Sequence, residues 1–144
     1  MESLFSNNPE SSVSSDRILY TPSSFARASL LHLQEIGTLK ALQLHTSSRS
    51  NLQSYLFFVV TTGSGSLVYE GKEYKLSEGS CVFIDCQKPY SHTTNPDDLW
   101  SLRWCHFDGP NLPLIYEKYT KRGGKPAFQL EDSNQLLKIL DKLL

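Results

Sequence analysis

The stretch Gly63-Ser64-Gly65-Ser66-Leu67-Val68-Tyr69-Glu70-Gly71-Lys72-Glu73-Tyr74-Lys75-Leu76 decides the fold. A glycine turn leads into Ser66 to Tyr69, a tight turn reverses the chain at Glu70 to Glu73, and Tyr74 to Leu76 returns beside it. Leu67 and Tyr69 alternate with polar neighbours, as do Tyr74 and Leu76, so one face of this hairpin is buried and the other is wet. The stretch reads as β structure.

Toward the C-terminus, Ser77-Glu78-Gly79-Ser80 turns into Cys81-Val82-Phe83-Ile84, an unbroken apolar run that suits a strand covered on both faces, ended by Pro89. After a turn at Asn95 to Asp98, period two over Leu99 to Phe107 puts Trp100, Leu102, Trp104 and His106 on one face. Toward the N-terminus, Ser29 to Leu33, Thr38 to His45 and Gln53 to Thr61 read as strands, separated by Gly37 and by the polar cluster Ser47 to Asn51. Short strands at regular spacing with no helix between them predict an antiparallel sandwich or barrel, all-β in class with helices added at the C-terminal end.

The flanks differ in texture. Residues 1–16 hold six serines, two asparagines and a proline, which predicts a flexible N-terminal arm. The barrel is expected over 17–110 and a helical region over 111–144. In the latter, Leu112, Ile115, Tyr116 and Tyr119 share one side of a short helix that stops at Lys121 to Gly124. A second helix is expected from Asp132 or Ser133, with Leu136, Leu137, Leu140, Leu143 and Leu144 as the candidate dimerisation seam. The apolar run to the last residue suggests a fragment of something longer.

Composition narrows the function. The 144 residues, 39% hydrophobic and 20% charged, suit one domain. Fourteen basic against fifteen acidic side chains leave no broad cationic face for phosphates or anionic lipid, so this stretch by itself is a poor partner for nucleic acid. The longest apolar run, Leu56 to Val60, is too short to cross a bilayer, and Met1-Glu2-Ser3 does not begin a signal peptide; the reading is soluble and cytoplasmic, without a membrane partner. Cys81, Cys86 and Cys105 form no C-x-x-C pair and read as small buried hydrophobes. His32, His45, His92 and His106 stand singly, and no Ser/His/Asp order, paired carboxylate motif or phosphate loop appears. Neither a metal, a cofactor nor an enzymatic activity is expected.

Gly63-x-Gly65, Gly71, Leu76-x-x-Gly79, Pro89 with His92 after it, and Trp100-x-x-x-Trp104-x-His106-Phe107-x-Gly109 follow one another in an order and spacing that resembles the N-terminal domain of AraC-type transcription regulators, over roughly residues 49 to 110. The resemblance implies a cupin-like double-stranded β-barrel (jelly roll) followed by dimerisation helices. It also implies that DNA is bound only through a C-terminal domain of helix-turn-helix units not in this chain. The chain would then be the effector-sensing, homodimerising half of a regulator.

That resemblance also nominates a ligand-binding set. Trp104 matches the tryptophan that stacks on the sugar in arabinose-type sensors, and its flat ring suits the C–H face of a sugar, although Trp100 and Trp104 serve equally well as core. Arg49 lies near the position of a ligand-bonding arginine, and its planar fork suits vicinal hydroxyls or a carboxylate; a solvated loop arginine is the competing reading. Tyr90 and His92 are placed in the turn that rims the pocket, either as hydrogen-bonding groups or as surface side chains. Leu102 stands where sugar-sensing relatives carry a ligand-touching histidine, and Ser80 where many relatives carry an acidic residue. His106 reads as a structural histidine. The implied partner is a small polar metabolite, a carbohydrate first; a stand-alone cupin enzyme and a ligand-less dimerising domain are the alternatives.

Overall fold

The computed structural model describes residues 12–130. The expected helix after Asp132, with Leu136, Leu137, Leu140, Leu143 and Leu144, and the first eleven residues of the expected arm lie outside the described residues. Among the described residues ten strands and two helices follow in chain order: β1 Val13–Leu19, α1 Ser24–Ser29, β2 His32–Ala41, β3 Thr46–Arg49, β4 Tyr55–Thr62, β5 Gly65–Tyr69, β6 Lys72–Leu76, β7 Ser80–Asp85, β8 Tyr90–Thr94, β9 Ser101–Asp108, α2 Leu112–Lys121 and β10 Ala127–Gln129.

Every strand pairing among the described residues is antiparallel. The strands form a six-stranded sheet in the order β1-β2-β9-β4-β7-β10 and a four-stranded sheet in the order β3-β8-β5-β6. From β2 to β9 the chain changes sheet at every connection except the β5–β6 hairpin, as in a jelly roll. The two inner faces interleave their alternate residues: Leu56, Phe58 and Val60 of β4, Val82 and Ile84 of β7 and Leu102 and Trp104 of β9 meet Leu67 and Tyr69 of β5 and Tyr90 of β8 in one buried cluster. The hairpin that opened the reading is β5 and β6, in register from Gly65 opposite Leu76 to Tyr69 opposite Lys72.

Cys81 to Ile84 is covered on both faces as expected, and the outer cover is α2. Pro113 opens that helix, and Tyr116 and Tyr119 set their rings against Phe83 at 5.0 and 5.1 Å between centroids, with Phe107 stacked on Phe83 from β9. Tyr69, from the facing sheet, donates a hydrogen bond to the Asp85 carbonyl and accepts one from the Asp85 N–H. The Tyr116 hydroxyl lies 3.5 Å from that of Tyr69, so the helix touches the rim where the sheets meet.

Five local expectations are corrected. Ser24 to Ser29 is a helix, because Ser23 accepts from the Ala26 N–H as an N-cap, and the strand expected at Ser29 starts only at His32. Gly37 interrupts nothing and sits inside β2. The serines of the Ser47 cluster form β3, with Ser47 fully buried between the sheets. Tyr90 and His92 belong to a strand rather than a turn. The first strand begins at Val13, inside the stretch expected to be mobile, because seven register pairs with β2 satisfy its backbone although only Val13 among its side chains is buried.

Gly37 and Gly65 show why glycine occurs within these strands. A Cβ on Gly37 would lie 2.7 Å from the Trp104 ring and would collide with the Asp16 carbonyl; one on Gly65 would collide with both the Trp100 ring and the Thr93 carbonyl. Each indole lies in the space a side chain would take. Gly37→Ala is therefore expected to cost about 1–3 kcal/mol through overpacking, read as a lower urea midpoint with an unchanged slope.

Candidate functional site

β3, β8 and β5 lie side by side, and their register sets Arg49 opposite Tyr90 and Tyr90 opposite Tyr69. The three residues form one rung across the four-stranded sheet at its Asp85 end. Period two along β8 then turns Tyr90, His92 and Thr94 to the inner face, and all three are buried. Facing them from the other sheet are Trp104 and His106 of β9. The strand alternation that buries the tryptophans also buries the histidines.

His92 is packed among rings, with centroids 5.4 Å from Phe58, 6.0 Å from Trp100 and 6.3 Å from Tyr90, the last nearly parallel. Burial, then the nearby His45 and His106, push its pKa down to about 3. His106, fully buried, meets the Ser54 hydroxyl through Nδ1 at 2.9 Å. Burial first and the Arg49 guanidinium second bring it to about 3 as well. Both imidazoles are neutral near pH 7, so each offers one N–H donor and one acceptor.

Arg49 is half-buried, and its charge also acts on Cys86 and Tyr90. Burial raises the Cys86 thiol to about 12 and raises the Tyr90 phenol too, and the two side chains sit against each other. Cys81 and Cys105 are raised by burial to about 11 and 12, so the three thiols stay protonated and supply no thiolate nucleophile at neutral pH. Among the described residues, no three His, Cys, Asp or Glu side chains are grouped to hold a metal ion, and no helix is long and apolar enough to cross a membrane. A surface cleft of about 520 Å³ lies on the outer face of the same sheet, where Ser48, Ser91 and Val68 form the neighbouring rung, with Arg49 and Tyr90 also among its walls.

Of the nominated ligand-binding residues, Arg49, Tyr90 and His92 come together on two adjacent strands, and Trp104 faces the same interior from β9. Leu102 is also buried and inward, but it stands four residues, about 13 Å, along β9 from His106 and packs toward the opposite end. Glu35 went unnominated. It is fully buried in β2, opposite His106 in register, with Arg17 of β1 at 3.7 Å. Counting back by twos from buried Leu39 through Gly37 would have turned Glu35 inward.

The chain matches the family model described as the AraC-like ligand binding domain over residues 32–144. Among solved structures, it superimposes on a cupin 2 conserved barrel domain protein from Leptotrichia buccalis with TM-score 0.55 and 17% identity, over 86% of this chain and 46% of that one. The AraC-like transcriptional activator CuxR gives TM-score 0.55 and 12% identity, over 90% of this chain and 51% of that one. The Cnp3 cupin domain of Schizosaccharomyces pombe gives TM-score 0.55 and 9% identity, over 82% of this chain and 74% of that one. At such identities the likeness concerns the fold, and the chain spans about half the length of the first and second of these proteins. No curated protein sequence matches it.

Proposed function

Since the chain belongs to the AraC-like ligand binding domain family, we propose that it senses a small polar metabolite, a sugar or sugar acid, between the two sheets and passes its presence to a DNA-binding domain outside this chain. The observation that carries this reading is the inward convergence of Arg49, Tyr90, His92 and Trp104 at one end of the barrel. Neutral imidazoles and a protonated phenol bond hydroxyls without a net charge, Arg49 receives a vicinal diol or carboxylate, and the indole offers an apolar plane.

In this reading the protein works in the cytoplasm as a homodimer joined through the segment that carries Leu136, Leu137, Leu140, Leu143 and Leu144, and it has no catalytic role. A guest shifts a two-state equilibrium only by its differential affinity for the states, so a few kcal/mol inverts the populations. The test is thermal melting of the full chain against neutral sugars, sugar acids and small aromatic acids. The expected result is a saturable rise of the midpoint with one class, growing with concentration by mass action and lost in Arg49→Ala. Indifference to every class would turn the reading toward a domain that only dimerises.

A further inference from the structure

The two sheets each leave one edge at the same seam. β6 ends the four-stranded sheet and β10 ends the six-stranded one; among the described strands neither has a hydrogen-bonded neighbour beyond it. Both edges border one cleft of about 340 Å³, whose walls include Leu76, Ala127 and Phe128 and whose charged lining residues are Lys72, Lys75 and Lys125, with no carboxylate among them. An edge strand presents unpaired N–H and C=O groups at alternate residues, a template for another strand.

We propose that this seam docks an acidic peptide segment in extended conformation, added as a strand along β6. The charges select the partner. With Lys75 paired to Glu73 on the same strand, Lys72 and Lys125 leave the edge positive, which repels a second copy of it and attracts carboxylates, while the apolar walls take the alternate side chains of a strand whose other residues are acidic. The lysines already show what they bind: Lys75 holds Glu73 at 2.6 Å, and the Lys72 ammonium rests 5.3 Å from the centre of the Tyr74 ring, available to exchange that contact for a carboxylate. β6 is five residues long, so a partner of five to seven residues spans the edge.

Lysines on an edge also blunt aggregation, and that role alone would need neither a cleft nor apolar walls behind them. The experiment separates the two. The full chain is titrated into a fluorescein-labelled, end-capped peptide of seven residues alternating glutamate and valine, and anisotropy is followed. Saturable binding in the micromolar range is expected. It should weaken at least about tenfold in the double variant Lys72→Glu with Lys125→Glu, which changes two exposed positions and keeps a cooperative melting transition. It should weaken as much when alternate peptide amides are N-methylated, because strand addition needs those donors.

Equal binding of the N-methylated peptide, or of an oligoglutamate with no apolar residues, would mean charge attraction without a strand and would overturn the proposal. So would an absence of binding, or binding indifferent to the double variant. A chain that instead self-associates through this edge, in a dimer that the lysine reversals abolish and the peptide does not displace, would overturn it as well.

Discussion

Acidification from pH 7 to pH 5 is expected to remove about 4 kcal/mol of folding stability, well before most carboxylates titrate. The cause is the pair of imidazoles sealed between the sheets. In the folded protein His92 and His106 hold pKa values of about 3, against 6.5 when unfolded. Well above pH 6.5 both states are neutral at these positions and their contribution no longer varies with pH. Below it the unfolded chain takes up a proton at each site that the folded chain refuses, so stability falls by about 1.4 kcal/mol per pH unit and per histidine until pH 3. Two groups over about 1.5 units yield the figure. His45, lowered by burial, adds in the same direction. Urea unfolding at several pH values measures this directly, and replacing His92 by Gln should about halve the slope between pH 6.5 and 5. A curve flat across that interval would show that the imidazoles reach solvent.

Trp104→Ala is expected to cost about 3–5 kcal/mol, whatever the residue does for a ligand. Its ring is 1% exposed, packs opposite Phe58 in register and lies in the space left open by Gly37. Removing it leaves a cavity whose walls belong to two sheets and cannot all move in. A loss of effector binding in that variant would therefore be ambiguous. Trp104→Phe keeps most of the volume and should cost less than about half as much, so the pair separates packing from recognition. If Trp104→Phe melts like the parent yet no longer responds to the effector class found by melting, the indole contributes specifically to binding. A Trp104→Ala protein as stable as the parent would contradict the packing described.

The elements legible from sequence are those whose side chains alternate between large apolar and polar. β5, β6 and β9 do so plainly, and β4 and β7 are dense enough in apolar residues to stand out. β3 and β8 were hidden because their inward positions hold Ser47, His92 and Thr94, polar residues that a buried strand accepts only once neighbouring rings and hydroxyls surround them. Pro89 and the serine cluster looked like punctuation for the same reason. At the site, the inward side of Trp104 and Leu102 followed from period two. Burial of Tyr90 and His92 did not, since it depends on the pairing of β8 with β3 and β5, which are distant in sequence. Glu35 escaped because charge argues for the surface until Arg17 arrives from another strand.

The interlock of Trp104 with Gly37, and of Trp100 with Gly65, constrains how this lineage can drift. A side chain at position 37 meets the indole and the Asp16 carbonyl at once, and a smaller residue at 104 opens a void that a bare α-carbon leaves unfilled. Because the Asp16 and Thr93 carbonyls also bar a Cβ at positions 37 and 65, shrinking an indole does not free its glycine, so descendants are expected to keep both glycines even where a ring is lost.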